Sequence, residues 1–216
     1  MTSRSGTVAE GPVDDSIGAR TRTESGRRGL FYRIIAANAD VPVLEFGAPF
    51  VRQWFSNVVS GDAHGLASLV TQRAAFAMVI LHQTLGGCAS VAEALRAAAL
   101  VLEPGGTLAF AAANRIGVGI RPGMNEAAPR ATPSGFRRAA LRAGFTNVEI
   151  FVIRPDLEVP DYAVSTARRS ARAFFDHEAL SRQASGRDRW LLARAAVARL
   201  DLAVLLEPYL MIVAKR

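Results

Sequence analysis

The sequence has one cysteine, Cys88, and one lysine, Lys215, among 216 residues. A single thiol excludes a disulfide framework within the chain and any multi-cysteine zinc or iron–sulfur site. It also suits a reducing, cytoplasmic setting. The three histidines, His64, His82 and His177, are too dispersed to form a metal-ligand pattern. Long apolar runs are missing too. The most apolar stretch, residues 191–214, is broken by Arg194, Arg199, Asp201, Glu207 and Pro208, where a membrane span needs ~20 nearly uncharged residues. The opening MTSRSGTVAEGPVDDSIGARTRTESGRRG has no apolar core of the kind a secretory signal requires. There is no internal repeat.

The scarcity of lysine leaves a formal charge of +7 carried almost wholly by arginine. These arginines are spread along the chain rather than gathered, which fits a compositional preference for Arg better than a nucleic-acid surface. A nucleic-acid partner is therefore disfavoured. Half the residues are apolar and the length is that of one domain. Residues 1–28 are rich in Ser, Thr, Gly and Arg without periodicity, so a disordered or degenerate tail is expected there. Residues 29–216 then form the folded unit.

From residue 30 onward, helix and strand signals alternate. Leu30 to Ala37 reads as a short helix, Val41 to Phe46 as a strand, and Pro49 to Phe55 as a helix. Asn57 to Ser60 is a short strand. Phe76 to Leu81 is a continuous apolar run suited to a strand buried on both faces. Ser90 and Glu93 form a capping box ahead of an apolar helical face, and Pro104-Gly105-Gly106 turns the chain into a strand from Thr107 to Ala112. Thr132-Pro133 starts a helix that Gly144 ends. Val148 to Ile153 and Tyr209 to Ala214 are strands, and the segment from about 154 to 207 is expected to be a helical insert between them. This alternation predicts an α/β fold with a mostly parallel sheet.

Four segments carry a resemblance: GDAHGL (residues 61–66), FAMVILHQTLGG (76–87), AEALRAAALVLEPGGTLAFAAANR (92–115) and GFRRAALRAGFTNVEI (135–150). In this order they resemble the class I S-adenosylmethionine-dependent methyltransferases, of the broad kind that modify small molecules, lipids and sugars. The resemblance implies a Rossmann-like three-layer sandwich with an antiparallel C-terminal strand. It also implies S-adenosylmethionine as cofactor and a small-molecule, lipid or glycan acceptor.

Two registers are open at the front end. Glu45-Phe46-Gly47 resembles the family's acidic end of the first strand and the start of its glycine loop, with Pro49 and Val51 where later glycines belong. Only 17 positions then separate Glu45 from Asp62, too few for two helices and a strand. Alternatively Glu45 ends the second strand and accepts from the ribose hydroxyls. The count favours this second register. It puts the glycine loop near Gly26 to Gly29 and the first strand near Ile17 to Glu24. That segment is charged and poor in β-branched residues, so the first strand and its loop are expected to be degenerate or absent.

The resemblance gives cofactor-binding roles to Glu45, Phe46, Gly47, Asp62, Ala63, His64 and His82. Asp62 is matched to the acceptor for the adenine amino group. His82, at the end of the Phe76 strand, lies where ligands gather in open α/β sheets and is the candidate general base. Asn114 and Arg115 follow the next strand and could face the acceptor or simply bound a loop. Arg168, Arg169 and Arg172 share a helical face that fits solvent better than an acidic acceptor, and Phe174, Phe175 and Trp190 fit a core better than a ligand cage. Cys88 precedes a helix N-terminus, which would lower its pKa. No metal site is implied. A second reading is a methyltransferase-like protein without catalysis, acting as an interaction subunit or a truncated gene product.

Overall fold

The computed structural model describes residues 40–47, 55–61, 65–72, 75–117, 129–154, 162–167, 173–174 and 203–216. Among them, eight strands form one mixed sheet: β1 (Pro42–Phe46), β2 (Asn57–Ser60), β3 (Phe76–His82), β4 (Leu102–Asn114), β5 (Arg130–Ala131), β6 (Glu149–Arg154), β7 (Tyr162–Ser165) and β8 (Tyr209–Lys215). The helices are α1 (Leu66–Thr71), α2 (Val91–Val101), α3 (Pro133–Arg142) and α4 (Ala203–Leu206). The order across the sheet is β2-β1-β3-β4-β8-β6-β7, with β5 pairing beside the end of β4. β1 to β4 are parallel, and β8 runs antiparallel between β4 and β6.

Period-2 alternation divides the apolar residues between the two faces. Leu44, Phe46, Val79, Leu81, Leu108, Phe110 and Ile212 pack with Leu66 and Leu69 of α1, Leu95 and Ala98 of α2, and Phe136 and Ala140 of α3. Val43, Met78, Ile80, Ala109, Ala111, Tyr209 and Met211 form a second cluster on the opposite face. The edges of Phe110 and Phe136 meet at 5.6 Å between ring centres, fixing α3 against the middle of the sheet. Among the described residues, no helix is long and apolar enough to cross a membrane.

The capping signals are realised. Ser90 Oγ accepts from the Glu93 amide at 3.2 Å, while the Glu93 carboxylate accepts from the Ala89 amide at 2.9 Å, one residue ahead of the cap. Thr132 Oγ1 accepts from the Gly135 amide at 3.1 Å. At the other end of α3, Gly144 takes φ +94°, and the amides of Gly144 and Phe145 bond the carbonyls of Leu141 and Ala140. That is the paired hydrogen bonding of a left-handed glycine cap.

The structure differs from the sequence reading in three places. β1 pairs directly with β3, Glu45 opposite Ile80 and Phe46 opposite Leu81, and β2 lies on its other side. Val41 to Phe46 therefore holds the central position next to β3, not the next one out, and the register favoured by counting is corrected. The reason is burial. The central place needs an apolar strand, and Val43, Leu44 and Phe46 are at most 1% exposed, whereas β2 is half solvated as an edge strand can be. The short interval after Glu45 is met by one strand outside β1 among the described residues. Second, β4 begins at Leu102 rather than Thr107. It runs through Pro104-Gly105-Gly106 as a register shift between the Phe76–Leu102 and Met78–Thr107 pairs. Third, the segment after β6 opens with a strand, β7, antiparallel to β6, where a helical insert was expected. Leu30 to Ala37 and most of Pro49 to Phe55 lie outside the described residues, as do residues 1–28.

Replacing Ser90 by Ala removes the α2 cap. It is expected to lower stability by about 1 kcal/mol, read as a lower urea midpoint at unchanged slope.

Candidate functional site

β1 is followed in sequence by β2 on one side, and the chain then returns to β3 on the other. The point where successive strands depart in opposite directions lies at the carboxyl ends of β1 and β3, where open α/β sheets bind ligands. β1 ends in Phe46 and Gly47, and β3 ends in His82.

Gly47 adopts φ +99°, and a Cβ built on it would lie 2.5 Å from the His82 carbonyl oxygen and 3.3 Å from His82 Cβ. The backbone leaving β1 thus crosses directly against the last residue of β3, a passage open only to glycine. Alternation puts Glu45 and His82 on the same face as Val43, Met78 and Ile80. His82, two residues beyond Glu45's partner Ile80, is Glu45's diagonal neighbour. Glu45 is 2% and His82 6% exposed. On that face β4 offers the methyl groups of Ala109 and Ala111, the latter opposite His82.

Polar burial concentrates at this edge. Of the buried polar or charged residues described, Glu45, His82, Asn114 and Glu207 stand at or beside it; Glu207 comes just before Tyr209, which pairs with Ala113 near the end of β4. The exception, Thr107, sits early in β4 and accepts from the Lys215 ammonium at 2.6 Å.

Asn114 has a structural role. Its amide nitrogen donates to the carbonyls of Leu205 and Glu207, both at 2.8 Å, and its own backbone N–H bonds Pro208. It ties the end of β4 to the approach of β8. Arg115 is exposed, its amide bonded to Ala131.

The neighbouring loops close onto the same rim. The Gly61 amide donates to the Glu45 carbonyl at 2.8 Å, and a Cβ at Gly61 would fall 2.2 Å from the Phe46 ring. Phe46 therefore spends its side chain on the core, and only its backbone reaches the rim. Leu66 donates to the Gly86 carbonyl at 2.7 Å, joining two of the segments that carry the resemblance. Asp62, Ala63 and His64 lie outside the described residues; the Gly65 amide donates to the Gly61 carbonyl across them at 3.0 Å. Arg168, Arg169, Arg172, Phe175, His177 and Trp190 are also outside. Phe174 meets Tyr162 at 5.8 Å between ring centres.

Gln83 was not singled out by sequence. It is the one non-glycine residue among those described with a left-handed backbone, φ 55°, a conformation costing about 1–2 kcal/mol. Its side-chain nitrogen lies 3.4 Å from His82 Nε2. Neither Gln83 nor the buried Glu207 is marked by periodicity or spacing. The expectation for Cys88 is reversed: burial first, and the Glu93 carboxylate second, push its thiol above the usual value.

No family model and no curated protein matches the sequence. Solved structures do match. The CcbJ methyltransferase from Streptomyces caelestis superposes with a TM-score of 0.51 at 15% identity, over 89% of this chain and 95% of that one. A SAM-dependent methyltransferase from Archaeoglobus fulgidus gives 0.46 at 13% identity, over 94% of each chain. Another from Thermotoga maritima gives 0.46 at 10% identity, over 93% of this chain and 95% of that one. At these identities the likeness concerns the fold, and the fold is that of the class I SAM-dependent methyltransferases.

A Gly47→Ala substitution must either unseat the His82 backbone or strain its own. We expect a loss of about 2–3 kcal/mol in chemical denaturation, more than that of an alanine at Gly144, which is left-handed as well but has nothing within 4 Å of its added methyl.

Proposed function

We propose that the chain transfers a methyl group from S-adenosylmethionine to a hydroxyl of a small-molecule, lipid or glycan acceptor, with His82 as general base. The observation that supports this most is the abutment of Gly47 on His82 at the point where the strand order reverses. The residues fit such a cofactor. Gly47 presents bare backbone at the rim, and Glu45, at the end of β1, supplies a carboxylate beside it that can accept from hydroxyl or ammonium groups. Asp62, Ala63 and His64 would complete the cradle around ribose and adenine, and the Phe46 backbone and the edge of His82 would border it.

When bound, the cofactor supplies an electrophilic sulfonium methyl, and the protein supplies orientation. The imidazole of His82 takes the proton of the acceptor hydroxyl as that oxygen attacks. Glu45, its diagonal neighbour, favours the imidazolium that results. Burial of both groups keeps competing water from the proton transfer. A cytoplasmic setting belongs to this reading and is supported by the single cysteine, free in the structure.

One observation favours a second reading. After Gly47 the chain continues Ala48-Pro49-Phe50-Val51, with no further glycine. A segment after β1 with no further glycine would suit a methyltransferase-shaped interaction subunit that binds no cofactor.

Transfer of a labelled methyl group to panels of small hydroxylated metabolites, lipids and glycans tests the proposal. We expect incorporation with at least one panel, reduced about 10²–10⁴-fold in kcat by His82→Ala. No incorporation by folded protein into any panel would overturn it in favour of the second reading.

A further inference from the structure

We infer that the outward faces of α2 and α3 form one docking surface for an anionic lipid bilayer. Leu100 and Leu141 enter the headgroup layer, and Arg96, Arg137, Arg138 and Arg142 meet the lipid phosphates. The inference does not depend on the methyltransferase reading.

The fold brings these residues together. α2 follows β3, and α3 follows β4 and β5, all of them parallel, so both helices start at the rim and run to the opposite end of the sheet. They pack on the same sheet face, through Leu95 and Ala98 of α2 and Phe136 and Ala140 of α3, and they touch each other. Leu100 and Leu141 are each the last residue but one of their helix, so they stand at the same level. Because α2 lies between α1 and α3, its outward stripe is narrow: Ala92, Arg96 and Leu100, each four residues from the next. On α3 the outward residues are Ser134, Arg137, Arg138, Leu141 and Arg142.

This face is not built for water alone. Leu100 is 63% and Leu141 54% exposed. A lone exposed leucine needs no explanation, but two at one level among arginines make an amphipathic patch. Arg138 and Arg142 are four apart, a spacing at which like charges repel, and α3 holds no acidic residue to relieve them. Glu93 is half-buried at the rim end of α2 with its carboxylate on the Ala89 amide, and Glu103 is exposed beyond Leu100; the four arginines outweigh these two acids. Arg96 and Arg137 each donate to a backbone carbonyl, of Ala92 and Val148. A guanidinium has five N–H donors, so these bonds orient the side chains and leave donors for phosphate oxygens.

Charge and apolarity together select the partner. At an anionic bilayer, leucine enters the acyl boundary while guanidinium pairs with phosphate. Nucleic acid would use the arginines and leave the leucines in water, and a second copy of the chain would set like charges face to face.

The test is flotation of the full chain with vesicles of phosphatidylcholine, and of an equal mixture of phosphatidylcholine and phosphatidylglycerol. Binding is expected to the mixed vesicles and not to the neutral ones. The net charge of +7 attracts the whole molecule to an anionic surface, so two charge-matched variants are compared: Arg138→Glu with Arg142→Glu on the face, and Arg115→Glu with Arg130→Glu, exposed at the rim. The first pair is expected to weaken binding about ten-fold more than the second. Leu100→Ser with Leu141→Ser, which leaves the charge unchanged, is expected to weaken it several-fold. Equal loss from both arginine pairs, full binding by the serine variant, or binding to single-stranded RNA or an acidic peptide but not to vesicles overturns the inference. All the substituted positions are exposed, and circular dichroism confirms that each variant is folded. Neither cofactor nor acceptor takes part, so failure here is distinct from absent methyl transfer.

Discussion

The geometry of this protein's rim depends on the chain leaving β1 and crossing against the end of β3. Gly47 lies so close to the His82 carbonyl that a single methyl group would overlap it. That crossing holds the last residue of β3 in place. It also puts a buried carboxylate and a buried imidazole on the same face of adjacent strands. The β2 and α1 loops are then hung from it, through Gly61 on the Glu45 carbonyl and Leu66 on the Gly86 carbonyl.

The rest of the sheet works to keep that rim rigid. Two apolar clusters clamp β1, β3, β4 and β8 from opposite faces. Asn114 locks β4 to the approach of β8 with two short bonds from one amide. Buried polar groups are costly unless partnered, and most of those described sit along one edge. The molecule concentrates that cost where α/β sheets bind ligands.

How much of this was legible in the sequence follows from how local each signal is. The Ser90 and Thr132 caps, the Gly144 stop and the apolar β3 run depend on neighbours within a few residues, and each is present as read. The order of the strands depends on distant partners. Counting residues after Glu45 pointed to the wrong place for β1, because it assumed that every strand of the full fold is kept. The demand for apolar residues in the middle of the sheet decided otherwise. Gly47 and His82 were both visible as candidates, but not their contact, which is made between residues 35 apart in number. Gln83 was hidden for a further reason: a left-handed glutamine has no compositional signature. Cys88 was misjudged because its burial, which raises the thiol first, and the charge of Glu93, which raises it second, depend on packing that the local spacing does not reveal.

The central claim is that this rim receives the S-adenosylmethionine proposed for it. Calorimetric titration of the folded 216-residue chain with S-adenosylmethionine tests it most directly, with Glu45→Gln alongside. The account predicts a dissociation constant of roughly 1 μM to 1 mM, the ordinary range for enzyme substrates, and clear weakening in the variant. Absence of any heat from wild-type protein shown to be folded would contradict it.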